Sequence, residues 1–115
     1  MLRKYAVYLK DIRESIENIE DFVKGMTQEQ FEDDDKTSSA VIRKFEIIGE
    51  ASKYIPEDIR KKYSEIPWKE MAGMRDKLIH AYSEVDFKLV WMTIKQRIPE
   101  IKSLLKKILD ELSDW

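Results

Sequence analysis

Cysteine is absent from this 115-residue chain and histidine occurs once. Disulfides, thiolate zinc sites and cysteine nucleophiles are therefore excluded, as is a multi-histidine metal site within one subunit. Glycine and proline are scarce too, three of each against 38% charged and 43% hydrophobic residues. That balance favours helices with solvated charged faces and argues against a turn-rich sandwich or barrel. The longest unbroken apolar run is Tyr5 to Leu9, far short of the roughly 20 residues that cross a bilayer, and the charged start lacks the apolar core of a secretory signal. A soluble, cytoplasmic protein is expected. An excess of charge of either sign is also missing: 21 basic and 23 acidic residues leave a net −2, so any site for a polyanion must be local. The length suits one domain, taken as residues 1–115.

What is present is helical periodicity. Tyr5, Leu9, Ile12, Ile16, Ile19 and Val23 recur at spacings of three and four, predicting one long amphipathic helix that ends at Gly25. Thr27 and Gln30 have the spacing of a capping box opening a short turn around Phe31, and the acidic run from Glu32 to Asp35 reads as a solvated loop. A second helix is expected from about Thr37 or Ser38, carrying Val41, Phe45, Ile48, Ala51 and Ile55 inward until Pro56 stops it. Gly49 inside it is best explained by close packing against a neighbouring helix. Pro56 then suits the start of a short helix, with Glu57 and Asp58 at its positive end. A third long helix is expected from Pro67 through Trp68, Met71, Arg75, Leu78 and Tyr82, with Arg75 in a seam position where an apolar residue belongs. From Asp86, a plausible N-cap, a last seam runs Trp91, Ile94, Ile98, Ile101, Leu105, Ile108 and Leu112, its phase surviving Pro99 as a kink or as two nearly collinear helices. Four main helices with short connections make an all-α, antiparallel bundle of four to five helices. Three Trp, five Tyr and four Phe along such stripes leave apolar surface for a partner, so a homodimer is expected.

One segment could carry chemistry. Arg75-Asp76-Lys77-Leu78-Ile79-His80-Ala81-Tyr82 contains the only histidine, the displaced arginine, and a tyrosine two residues after the histidine. On a helix Asp76 and His80 would be an i, i+4 pair, the carboxylate holding one imidazole nitrogen and raising the basicity of the other. Arg75 offers a planar fork of donors suited to phosphate oxygens. An acid/base imidazole beside such a guanidinium is the minimum needed to cleave RNA without a metal or other cofactor, since a 2′-hydroxyl must lose a proton and the charge at phosphorus must be stabilised. The structural alternative is that His80 is a surface or capping residue near a helix end, and that Arg75 snorkels from the seam to pair with Asp76 or Glu70. Tyr82, seven residues after Arg75, would fall within about 20° of it on a continuous helix; it is otherwise a seam residue at the helix end. Lys77 and Arg43 either extend a cationic patch or are ordinary solvated charges.

Arg75, His80 and Tyr82 stand as Arg-x4-His-x-Tyr, preceded by Pro67-Trp68 and Met71-Ala72-Gly73-Met74. Together with Ile47-Ile48-Gly49-Glu50-Ala51, and a tail from Val90 through Trp91 and Pro99, this resembles the HepT-like branch of the HEPN superfamily over nearly the whole chain. The resemblance implies a homodimeric helical bundle acting as a metal-independent endoribonuclease toxin, paired with a minimal nucleotidyltransferase antitoxin. By position it implies that His80 is the catalytic acid/base and Arg75 the phosphate-binding residue. Asp76 would be the polar residue that follows the arginine, and Tyr82 the tyrosine that the antitoxin AMPylates. A twofold axis past the motif would bring a second His80 and a second Arg75 to one cleft and concentrate positive charge there. Two other readings stand beside it: a catalytically silent HEPN subunit that binds a nucleotidyltransferase or nucleotides, and a plain helical dimerisation module in which Arg75 and Asp76 merely pair.

Overall fold

A computed structural model of the chain describes residues 5–81 and 84–113. Eight helices and one short antiparallel strand pair follow one another among them. Four helices are long: α1 (Ala6–Phe22), α3 (Asp35–Lys53), α7 (Phe87–Gln96) and α8 (Ile98–Ser113). Four are short: α2 (Gln28–Asp33), α4 (Glu57–Lys62), α5 (Trp68–Ala72) and α6 (Met74–Leu78). The strands, β1 (Ile79–Ala81) and β2 (Glu84–Val85), pair with Ile79 opposite Val85 and Ala81 opposite Glu84. No helix among the described residues is long and apolar enough to cross a membrane.

The all-α bundle follows from the apolar seams. Leu9, Ile12, Ile16 and Ile19 of α1 are fully buried and face α3, whose Val41, Phe45 and Ile48 are buried in turn. Ile98, Ile101, Leu105 and Ile108 of α8 close the core against α1, and Lys102 Nζ reaches Glu20 Oε1 at 2.7 Å on its rim. Gly25 has φ +77°, the left-handed conformation that ends a helix at little cost in glycine.

The starts of α2, α3 and α7 are set by side-chain caps. Gln30 N donates to Thr27 Oγ1 at 3.2 Å while Thr27 N donates to Gln30 Oε1 at 3.0 Å, the reciprocal capping box the spacing predicts. It opens a helical turn, α2, whose Phe31 is fully buried with its ring 5.4 Å from Trp91 and 6.3 Å from Phe87. The acidic run is not a loop. Glu32 and Asp33 finish α2, Asp34 caps α3 by accepting from Thr37 N at 3.0 Å, and Asp35 begins α3 two residues before Thr37. Carboxylates at a helix start are stabilised by its unpaired amides, which also hold the Asp34 carboxyl below its ordinary value through Thr37. Asp86 caps α7 as expected, accepting from Leu89 N at 3.0 Å. The last seam is two helices rather than one. The break falls at Arg97, and Pro99 sits in the first turn of α8, where its missing N–H costs nothing.

The third long helix is the main departure from expectation. The chain breaks at Gly73, which ends α5, and α6 stops at Leu78. There Leu78 O accepts from the backbone N of Asp86 at 3.1 Å, so the chain turns into β1 and returns along β2 to the cap of α7. Arg75 consequently is not a seam residue. Met71, Met74 and Leu78 take the buried positions, and Arg75 points outward, 51% exposed.

Candidate active site

The motif segment is placed by how closely α5 approaches α3. A Cβ built on Gly49 would lie 3.4 Å from the carbonyl oxygens of both Met71 and Ala72. The end of α5 therefore rests directly on α3, as the glycine in a buried helix face suggested. Three residues beyond Ala72, Arg75 lands within reach of Glu46, which precedes Gly49 by three residues on α3.

Arg75 Nε donates to Glu46 Oε2 at 3.2 Å. Arg75 Nη1 lies 3.6 Å from Asp76 Oδ1, a looser approach to a carboxylate that is 84% exposed. Glu46 is rooted in a long helix and only 34% exposed. The ion pair of Arg75 with Asp76 is the one that the structural alternative gives, formed by an arginine turned outward rather than snorkelling from a seam; the pair with Glu70 is not formed, because Glu70 belongs to Arg97. Arg97 Nε donates to Glu70 Oε1 at 3.0 Å and Arg97 Nη1 to Glu100 Oε2 at 2.6 Å, pinning α5 to the α7–α8 junction. The charge-assisted bond from Arg97 outweighs burial and holds the Glu70 carboxyl below its ordinary value.

His80 lies on β1, not on a helix, so the one-turn helical spacing from Asp76 on which that pairing was based does not apply. The imidazole of His80 and the whole of Tyr82 lie outside the described residues, and with α6 ending at Leu78 the helical geometry that set Tyr82 within 20° of Arg75 does not apply. Of the two neighbouring cations, Arg43 is exposed and lines a groove of about 260 Å³ between α1 and α3 together with Glu46 and the stacked rings of Tyr8 and Tyr54, whose centroids are 4.9 Å apart. Lys77 lines a separate groove of about 200 Å³ with Glu70, Met92 and Arg97. A further cavity of about 600 Å³ is lined by Arg60, Trp68 and Lys69 among others. Its arginine is committed to the carbonyls of Ile55 and Ser52 at 2.8 and 2.7 Å, closing the end of α3. Among the described residues, no three His, Asp or Glu side chains converge as a metal site.

Glu46 is the residue that spacing did not single out. Its signal was available in the one-turn offset from Gly49, since the residue a turn before a close-approach glycine faces whatever packs there.

The family model for ribonuclease HepT-like proteins matches residues 12–108, most of the chain. The chain belongs to the HepT-like family. A protein of Thermococcus cleftensis named as a probable ribonuclease HepT is 53% identical to this HepT-like chain over 108 residues, covering 94% of this chain and 98% of the relative. A protein of Methanocaldococcus jannaschii whose name marks it as a candidate RNase is 49% identical over 110 residues, 96% of this chain and 91% of its own. Another so named, from Caldanaerobacter subterraneus, is 45% identical over 104 residues, 90% and 93% of the two chains. No solved structure matches this HepT-like chain.

Proposed function

We infer that the chain is a metal-independent endoribonuclease, the toxin of a toxin–antitoxin pair whose partner is a minimal nucleotidyltransferase. The observation that carries this reading is Arg75 itself. A guanidinium expected in the core is instead turned outward beside the packed α3–α5 contact, five residues before the chain's single histidine. An exposed, tethered guanidinium suits a phosphodiester, and membership of a ribonuclease family makes RNA the substrate class.

In this reading His80 takes the 2′-hydroxyl proton as that oxygen attacks phosphorus, while Arg75 stabilises the charge that develops on the phosphoryl oxygens. The P–O5′ bond breaks, and the leaving oxygen receives a proton from His80 of a second subunit, giving a 2′,3′-cyclic phosphate and a 5′-hydroxyl. A homodimer with its twofold axis beside the Arg75 to Tyr82 segment supplies both imidazoles to one cleft. AMP attached to Tyr82 by the nucleotidyltransferase would add bulk and negative charge where RNA phosphate binds, silencing the enzyme.

One observation favours the rival reading of a silent HEPN subunit. Both Glu46 and Asp76 stand within 4 Å of Arg75, so the phosphate binder carries two carboxylates. A gel assay on tRNA and mRNA in EDTA, comparing wild type with His80→Ala, separates the two. The ribonuclease reading expects cleavage by wild type, 2′,3′-cyclic phosphate ends, and a loss of about a hundredfold to ten-thousandfold in the variant. An absolute magnesium requirement, or retained activity in the variant, would refute the mechanism. An inert wild type supports the silent subunit.

A further inference from the structure

The two carboxylates beside Arg75 are not equivalent. Glu46 accepts from Nε at hydrogen-bonding distance, 3.2 Å, from a half-buried position on the 19-residue α3. Asp76 stands 3.6 Å from Nη1, beyond a good hydrogen bond, and is almost wholly in water. A phosphate approaching the terminal nitrogens must displace Asp76, which needs only a side-chain rotation into solvent. It need not displace Glu46, because Nε is on the stem side of the guanidinium and the terminal pair of N–H groups remains for a bidentate contact.

From this asymmetry we propose that Glu46 is a positioning residue for the phosphate-binding arginine, fixing the guanidinium through Nε while leaving its terminal donors to the substrate. The proposal rests on the ribonuclease reading and deepens it. An untethered arginine carries large rotamer freedom, and ordering it at the moment of reaction would raise the barrier. The tether has an opposing cost, because a negative charge beside the guanidinium weakens its attraction for phosphate. Glu46 therefore exchanges some substrate affinity for turnover. The close approach at Gly49 makes this possible, because it sets Ala72, and hence Arg75, against the turn of α3 that bears Glu46.

Two variants separate charge from tether. Glu46→Gln keeps an oxygen that accepts from Nε but removes the charge; Glu46→Ala removes both. Cleavage of one RNA oligonucleotide is measured for kcat and KM, alongside binding of the all-2′-deoxy oligonucleotide of the same sequence, which lacks the attacking hydroxyl. Glu46→Gln should keep kcat within about twofold and lower KM, whereas Glu46→Ala should lower kcat at least about tenfold, as misplacement of a positioned group does. Glu46→Gln should also tighten binding of the deoxy oligonucleotide by roughly threefold, and this gain should vanish in an Arg75→Ala background, where the charge has no guanidinium to compete for. The thermal midpoints of both variants should match wild type, since a partly exposed ion pair adds little stability. A Glu46→Ala kcat equal to wild type overturns the tether. Tightening by Glu46→Gln that persists without Arg75 overturns its action through the arginine. If wild type does not cleave RNA, the ribonuclease reading fails, and the binding cycle alone still decides whether Glu46 acts on Arg75.

Discussion

Gly49 offers the sharpest test of how the fold places the site. It lies inside a 19-residue helix, where glycine is less favourable than alanine by up to about 1 kcal/mol. A methyl group there would stand 3.4 Å from the carbonyl oxygens of Met71 and Ala72 and 3.9 Å from the Ala72 carbonyl carbon, ordinary contact distances with no room beyond them. Gly49→Ala should therefore be accepted without movement of α5 and recover most of the helix term, roughly 0.5–1 kcal/mol, or about 3–5 °C in thermal midpoint for a domain of this size. Gly49→Leu places further carbons where those carbonyls already are. Overpacking of this kind costs about 1–3 kcal/mol and is relieved by moving backbone, here by lifting α5 from α3 and carrying Arg75 away from Glu46. Thermal unfolding followed by circular dichroism gives the two stabilities, and cleavage assayed below both midpoints gives the site. Gly49→Ala should cleave as wild type does, and Gly49→Leu should fall at least tenfold while still folded, a loss in the range expected when a positioned group is displaced. A leucine variant with wild-type stability and activity would refute the claim that this contact is close-packed and sets the site, and an alanine variant destabilised by more than about 1 kcal/mol would refute the claim that a methyl group fits between α3 and α5.

Other perturbations address the motif and the ionic ties. Tyr82→Phe should still cleave RNA but escape neutralisation by the cognate nucleotidyltransferase with ATP, and mass spectrometry of the co-expressed pair should place AMP on Tyr82; modification elsewhere overturns that role. Asp76→Asn should bind RNA more tightly than wild type by a few-fold, read by fluorescence anisotropy at fixed salt, because a repulsive charge leaves the arginine. Burial first, and then its hydrogen bond to Glu111, push the Tyr63 hydroxyl from 10 up to about 12. A raised folded value means a contribution fully present below pH 10 and lost as pH rises toward 12, so Tyr63→Phe should flatten the alkaline decline in stability. Glu70 has the opposite sense. Held below its ordinary 4.5 by Arg97, it contributes above that value and the contribution is lost as pH falls through the lower folded one, so Glu70→Gln should lessen the dependence of unfolding on acid below about pH 4.5.

Much of the fold was legible because it is written locally. The seams of α1, α3 and α8, the capping box at Thr27 and Gln30 and the cap at Asp86 each repeat or close within a turn of the helix, whereas Gly49 announced a close approach without saying that its neighbour would be α5. The acidic run was misread because carboxylates suit both solvated loops and helix starts, and only the Asp34 bond to Thr37 N decides between them. The end of α6 was illegible for a different reason. Met74, Leu78 and Tyr82 fit a helical stripe, but the stripe is overridden by Asp86 N, which takes the Leu78 carbonyl from eight residues away. Glu46 and Arg75, 29 residues apart, meet only through tertiary packing.

The short β1–β2 pair also bears on how this protein can be engineered. Residues five apart on an unbroken helix point about 140° away from each other, so a continuous α6 would aim Arg75 and His80 at different regions of space. Ending the helix at Leu78 releases that constraint, so under the proposed ribonuclease reading the break serves the motif rather than weakening it. Substitutions chosen to extend α6 through Ile79 to Ala81 should therefore yield a chain that is harder to unfold and poorer at its chemistry, a local conflict between robustness and use.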